Sequence, residues 1–188
     1  MKRFFIIVLA FLTLLSFASC NREQTEVTDG MKLAGKDAGN EAVGYSFTYP
    51  EEWEIVRNDG VVEIQFDCNP SDAVAEYATL TVLAFTLPQS DMTAKDYWES
   101  HKTEVEKAFA DFKQLDTVEY NEPDKYLDDA PALKVKYSSK MNDRTYVSDQ
   151  IICCRYGEVF LITLVAPEEY YESVSNVIDS VKDNFNFA

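Results

Sequence analysis

From Val61 to Asp67 apolar and polar residues alternate without a break. Val62, Ile64 and Phe66 fall on one side, and Glu63, Gln65 and Asp67 on the other, which is the two-residue period of a half-buried strand. Asn58-Asp59-Gly60, just before, is a hairpin signal. The same reading predicts strands over Tyr45–Tyr49, Trp53–Arg57, Tyr77–Leu87, Thr145–Arg155 and Val159–Val165. Another is centred on Leu133, Val135 and Tyr137, which alternate with Lys134 and Lys136. Pro50, Asn142-Asp143 and Tyr156-Gly157 mark the breaks between neighbouring segments. Two stretches switch to helical spacing. Thr93-x-x-Asp96 resembles a capping box, followed by Tyr97, His101, Val105, Ala108, Phe109 and Phe112 on one stripe. The second helix is predicted to start at Pro167 and carries Tyr170, Val174, Val177, Ile178 and Val181, with Phe185 beyond. Strands joined by tight turns imply an antiparallel sheet covered by the two helices, an α+β fold.

The N-terminus follows a different pattern. Met1-Lys2-Arg3 is basic, and Phe4 to Phe17 is a nearly unbroken apolar run of 14 residues. That is short for a transmembrane helix and the right length for a signal-peptide core. Phe17-Ala18-Ser19-Cys20 follows and resembles the lipobox of bacterial lipoproteins, with Phe in place of the usual Leu. The resemblance implies cleavage before Cys20 and acylation of its sulfur. Two or more acyl chains anchor stably where one binds only marginally. Residues 21–43 are polar, free of aromatics and contain Gly30, Gly35 and Gly39, which reads as a flexible tether spanning about 25 Å. The chain therefore divides into a signal peptide (1–19), a lipid-anchored cysteine and tether (20–43), and a folded domain (44–188). The domain is long enough to bury a core without staples.

Charge narrows the partners. There are 33 Asp and Glu against 17 Lys and Arg, a formal charge of −16. Removing the leader takes Lys2 and Arg3 and leaves 33 acids against 15 bases, or −18. Nucleic acid needs a basic footprint, so nucleic-acid binding is not expected. An anionic membrane surface would repel the domain, which leaves basic proteins and loosely held cations as partners.

Few residues could carry chemistry. His101 is the sole histidine and lies on the apolar stripe of the first helix, where a structural role is expected. There is no nucleophile-elbow, paired-histidine or phosphate-loop motif, so neither an enzyme nor a cofactor is expected and no catalytic residue is assigned. With Cys20 lipidated, Cys68, Cys153 and Cys154 remain. Outside the cytoplasm a disulfide is permitted, and Cys68 could pair with Cys153 or Cys154 but not both, because neighbours on a strand face opposite ways. The alternative is three reduced thiols packed as small hydrophobes. Asp116, Glu119, Glu122, Asp124, Asp128 and Asp129 crowd into one segment. Such oxygens suit a divalent cation such as Ca²⁺, although the spacing matches no EF-hand, and a solvated loop is the plainer reading. Trp53 is expected in the core, and Trp98 at the flank of the first helix's buried stripe.

"GYSFTYPEEWEIV" (Gly44–Val56) resembles the opening of PsbP-like domains, the group that includes the Ran-binding Mog-type proteins: aromatic strand, Tyr-Pro, Trp, second strand. "GEVFLITLVAPEEYYESVSNVIDSVKDNF" (Gly157–Phe185) is similar to their final strand and closing helix, with Ser180 and Phe185 at its end. The resemblance implies an α-β-α sandwich around a twisted antiparallel sheet. It also implies an accessory or assembly module that docks on larger complexes. Plant members help retain manganese, calcium and chloride through an N-terminal extension, but residues 21–43 share no motif with it, so no binding residue carries over. The expectation is an extracytoplasmic lipoprotein on the cell surface or the periplasmic face. It would be held to the membrane by its anchor, without enzymatic activity, and would bind an envelope protein. Solute or Ca/Mn binding is the alternative.

Overall fold

The computed structural model describes residues 27–71 and 75–188; the predicted signal peptide and Cys20 lie outside them. Among the described residues, besides short 3-10 turns at Lys36–Ala38 and Pro123–Lys125, ten strands and three α-helices follow in chain order. They are β1 (Met31–Gly35), β2 (Tyr45–Pro50), β3 (Glu54–Asn58), β4 (Val61–Asp67), β5 (Tyr77–Thr86), α1 (Ala94–Ala108) and β6 (Ala110–Tyr120). After these come β7 (Ala132–Met141), β8 (Arg144–Arg155), β9 (Glu158–Pro167), α2 (Glu168–Val174), α3 (Asn176–Asp183) and β10 (Asn186–Phe187). Seven strands form one antiparallel sheet in the order β3-β4-β5-β9-β8-β7-β6, and β1-β2-β10 form a second, smaller one.

The central strands of the large sheet are buried on both faces, and strand parity decides which residue goes where. Val62, Ile64, Leu80, Val82, Ile151, Ile162 and Leu164 face one core together with Tyr171 of α2, Ile178 of α3 and Tyr45 and Phe47 of β2. Leu133, Val135, Tyr137, Ile152 and Val159 face the other, under Tyr97 and Trp98 of α1. The architecture is therefore α+β, with α1 on one side of the sheet and α2, α3 and the small sheet on the other. The capping box at α1 forms as expected: the Asp96 amide donates to Thr93 Oγ1 (3.1 Å) and the Thr93 amide to Asp96 Oδ2 (3.3 Å). Both tryptophans are core. Trp53 stacks on Phe66 at 5.5 Å, and Trp98, 2% exposed, lies 6.2 Å from Tyr137.

Four local expectations are corrected. First, the tether does not run to residue 43, because Met31–Gly35 pairs antiparallel with Ser46–Pro50. Second, α1 stops at Ala108, where Phe109 turns extended, and residues 110–120 form the edge strand β6 instead of more helix and an acidic loop. Phe109 and Phe112 still pack on Tyr137, at 6.2 and 5.2 Å, so the core they were expected to join is the one they reach. Third, the closing helix is two helices meeting at Ser175, and Pro167 ends β9 and caps α2. Fourth, a short strand, β10, follows α3 and pairs with β2.

Gly35 shows how tightly β1 is built in. Its φ is +87°, and a Cβ there would collide with the Tyr45 carbonyl oxygen and lie 2.9 Å from Ser46 Cα. Both the backbone conformation and the space exclude a side chain. Gly35→Ala is expected to cost about 2–4 kcal/mol, measured as a lower urea midpoint; an unchanged midpoint would mean that β1 is not part of the cooperative fold.

Candidate functional site

The face of the large sheet that carries α2 and α3 is apolar over β4, β5 and β9 and becomes charged over β6–β8. Asp149 sits in the middle of β8, between Val147 and Ile151, opposite Leu164 of β9 and Lys136 of β7. Parity points it at the core side, and it is fully buried. A buried carboxylate must be paired and hydrogen-bonded, and neighbouring elements supply the partners. Lys134 Nζ of β7 lies 3.2 Å from Asp149 Oδ2, and the Tyr171 hydroxyl of α2 donates to the same oxygen at 2.9 Å. Lys134 also reaches Asp179 Oδ1 of α3 at 2.8 Å. The Lys136 ammonium stands 5.0 Å from the centre of the Tyr171 ring, and Lys182 stands 5.5 Å from that of Tyr120. Asp149 Oδ1 is buried and no donor among the described residues reaches it.

These groups tune one another. Burial works against the Lys134 ammonium, but the hydrogen bond to Asp179 and the charges of Asp149 and Asp179 outweigh it and hold the pKa above the usual lysine value. Burial pushes the Tyr171 hydroxyl well up, and the Asp149 charge adds to the shift. Beside the network a cavity of about 100 Å³ opens between β6, β7 and β8, lined by Asp116, Val118, Tyr120, Lys134, Lys136 and Asp149. A larger cleft of about 410 Å³ lies on the other face, at the α1 N-terminus. Its floor includes Ala132, Leu133 and Cys154, and the Lys95–Glu119 ion pair (2.7 Å) stands at its edge.

The structure does not bring the six carboxylates of the acidic segment together. Asp116 is at the rim of the smaller cavity, while Glu119 accepts from Lys95 and Asn121. Glu122 pairs with Lys125, Asp128 accepts from the Phe187 amide and Asp129 pairs with Arg155; Asp124 lies in an exposed turn. Among the described residues no three His, Cys, Asp or Glu side chains are grouped to hold a metal. The segment divides between a strand, a turn and a bridge, which point its carboxylates apart.

Of the two cysteine readings, the structure has the free thiols: Cys68, Cys153 and Cys154 are unbridged. Cys68 packs near Arg144, at the start of β8. Cys153 lies nine residues further along that strand, about 30 Å away, far beyond the reach of a bridge. Cys154 faces the opposite core. Burial pushes the Cys153 thiol up to about 12 and the Cys154 thiol up to about 11, so both are poor nucleophiles at neutral pH. All three are expected to alkylate in denaturant without reductant, with a melting temperature indifferent to reductant. A pair that alkylates only after reduction would contradict this placement.

His101 stays within its own helix. Its Nδ1 lies 2.8 Å from the Tyr97 carbonyl oxygen and 2.9 Å from Ser100 Oγ, and its ring stacks on Tyr97 at 4.2 Å. The serine–histidine contact joins chain neighbours on one turn, and the Ser100 hydroxyl also bonds to the Tyr97 carbonyl. The strand pattern placed Lys134 and Lys136 on a polar face of β7 but did not reveal that α2 and α3 cover it. The usable signal was Asp149, an acid at the same parity as Val147 and Ile151.

No family model matches the chain, and no curated protein matches it in sequence. Solved structures do. Cyanobacterial PsbP (CyanoP) from Synechocystis sp. PCC 6803 matches at 17% identity with a TM-score of 0.56, over 86% of this chain and 95% of its own. LpqN, described as involved in cell envelope biogenesis of Mycobacterium tuberculosis, matches at 12% identity and 0.54, over 84% and 91%. PA94, a Pseudomonas aeruginosa protein of unknown function, matches at 16% and 0.52, over 77% and 88%. The fold is PsbP-like.

Proposed function

We propose that the chain is an extracytoplasmic lipoprotein whose PsbP-like domain is a non-enzymatic docking module. Cys20 carries the lipid and holds the domain at a bacterial membrane. The partner is a basic envelope protein that adds to the edge of the large sheet. The observation that carries this reading is β6: among the described residues it ends the sheet and pairs only with β7, and it exposes Leu115 (44%) and Val118 (40%) beside the acids Asp116 and Glu119. An open edge offers a row of backbone donors and acceptors to an extended segment. The register shifts of β6 lie before Asp116, which leaves Asp116–Tyr120 regular for pairing. The formal charge of −16 favours a basic partner and speeds its approach. The fold shared with LpqN, itself described as an envelope-biogenesis protein, supports placing the module in the envelope. No helix among the described residues is long and apolar enough to cross a membrane.

The anchor and the docking are tested separately. Cys20→Ala is expected to lose a palmitate-analogue label and leave the membrane fraction; equal labelling of both proteins would overturn the anchor. The wild-type chain, extracted in detergent, is expected to hold one stoichiometric protein partner. That complex should weaken with salt and disappear when Asp116→Lys and Asp124→Lys are combined. The docking reading fails if no such partner is found, or if the complex ignores both salt and charge reversal.

A further inference from the structure

We propose that the cleft at the N-terminus of α1 is the specificity pocket of the β6 edge, and that it takes one aromatic side chain from the segment that pairs there. The inference rests on the docking reading and names the partner residue that this edge selects. Parity on β6 puts the cleft on one face of the edge. Glu119 sits opposite Leu133 of β7, which faces the α1 core, whereas Val118 sits opposite Lys134 and faces the other way. Glu119, Leu133 and Cys154 of β8 all line the cleft, so it runs inward from the sheet edge across two strand spacings, about 10 Å. A segment added to β6 would lie about 5 Å outside Glu119. Its residue beside Glu119 points along the same face, toward the cleft, and only a long side chain crosses β6 to enter it. The Lys95–Glu119 ion pair at the edge of the cleft is exposed on both sides, at 61% and 43%. Such a pair contributes little, so it yields to an incoming ring.

The walls select the occupant. Their polar side chains answer one another: Lys95 and Asn121 both donate to Glu119, and Thr93 is paired with Asp96 in the capping box. What remains is apolar surface from Met92, Ala94, Pro131, Leu133 and Cys154, the lining of a pocket for an apolar group. About 410 Å³ is roughly fourteen water volumes, which admits a phenyl or indole ring. Charge decides what flanks the ring. The segments that wall the cleft, 91–96 and 119–131, hold seven acids against Lys95 and Lys125, and Arg155 beside Cys154 brings the sum to −4. An anionic ligand is repelled there, and lysine or arginine next to the ring is favoured. The occupant is therefore an aromatic residue between basic ones on an extended strand.

The test is a calorimetric titration of the full-length protein in detergent micelles with short peptides in which threonine and lysine alternate around one varied central residue. Paired on β6, such a peptide puts its lysines on the face of Asp116 and its central residue on the face of Glu119. Phenylalanine at the centre is expected to bind at least about tenfold more tightly than alanine, and glutamate more weakly than alanine. Cys154→Phe, which fills the cleft from its floor, should bring the phenylalanine peptide to the level of the alanine peptide and leave the latter unchanged. Asn121→Trp, at the exposed rim, should do the same and keeps the test valid if Cys154→Phe fails to fold. Equal affinity of the phenylalanine and alanine peptides overturns the pocket while edge docking stands. A preference for phenylalanine that survives both cleft substitutions also overturns it. Phenylalanine amide binding as tightly as the phenylalanine peptide would mean a small-molecule site and overturn it too. If no peptide binds, the pocket is overturned, and the docking reading rests on the salt and charge-reversal test of the partner complex.

Discussion

Lys134→Ala is expected to destabilise the domain by about 3–5 kcal/mol, because it strands a carboxylate that the fold has taken out of water. The Lys134 side chain is 13% exposed and that of Asp149 1%, so water cannot replace the lost ammonium. Among the described residues the Tyr171 hydroxyl would be the one donor left on Asp149. Attraction between the two charges is not in itself the source of this cost. Replacing both partners with apolar residues, Lys134→Met with Asp149→Leu, is expected to recover most of the loss, since an apolar pair needs no desolvation of charge. Urea denaturation of the two single variants and the double variant checks this. If Lys134→Ala shifts the midpoint no more than an exposed lysine would, the buried network is not stabilising Asp149.

The same network sets an alkaline limit. The folded pKa of Lys134 lies above its ordinary value. Its contribution is therefore complete below the unfolded lysine value near 10.4 and is lost as pH climbs through the higher folded value. Burial raises the hydroxyls of Tyr120 and Tyr171 as well, and their contribution falls in the same direction above the ordinary tyrosine value near 10. Stability is expected to be level from about pH 7 to 9 and to drop above about pH 10. Lys134→Ala should flatten part of that drop.

Phe185→Ala should cost a similar amount, about 3–5 kcal/mol. Phe185 follows α3, is 3% exposed, and is the ring on which the small sheet meets the large one. Its centroid lies 5.5 Å from Tyr45 and 6.3 Å from Phe47 on β2, 6.5 Å from Phe160 on β9 and 5.2 Å from Phe187 on β10. Truncation removes one member of four ring pairs and leaves a cavity that rigid aromatic neighbours cannot close. Phe185→Leu, which keeps most of the volume, should cost about 1–2 kcal/mol. Hydrogen exchange should show Tyr45–Pro50 losing protection in Phe185→Ala ahead of β8 and β9. Equal loss across all strands would mean the two sheets unfold as one unit.

The sequence was most readable where a strand has a buried face. β4, β5, β8 and β9 announce themselves by parity, because each wrong placement would expose a Val, Ile or Leu. The strands it hid are edges. Among the described residues β1 and β6 each pair on one side only, and β6 is largely exposed, so water tolerates Asp, Lys and Gln along it and no alternation is required. The break after α1 was hidden for a related reason. Phe109 and Phe112 continue the helical spacing, and no glycine or proline stops the helix, yet Phe109 is extended and Asp111 adopts φ +51°. The charged network went unread: Asp149 shares the parity of Val147 and Ile151, a signal the strand pattern carries, but the network's other members come from β7, α2 and α3. No local pattern announces contacts across 15, 22 and 45 positions of chain. In the acidic segment nearness in sequence does not become convergence in space, because a strand followed by a turn splays its carboxylates apart.

The central claim, that this domain works by edge docking at β6, is tested most directly by photo-crosslinking in living cells. A photoreactive residue would replace Val118 on β6 or, in a second protein, Val56 on β3, the opposite edge of the same sheet. Position 118 is expected to yield one dominant crosslinked envelope protein, and the yield should fall when Asp116→Lys and Asp124→Lys are added. Position 56 is expected to yield none. Crosslinks at 56 but not 118, or at neither, would contradict the account.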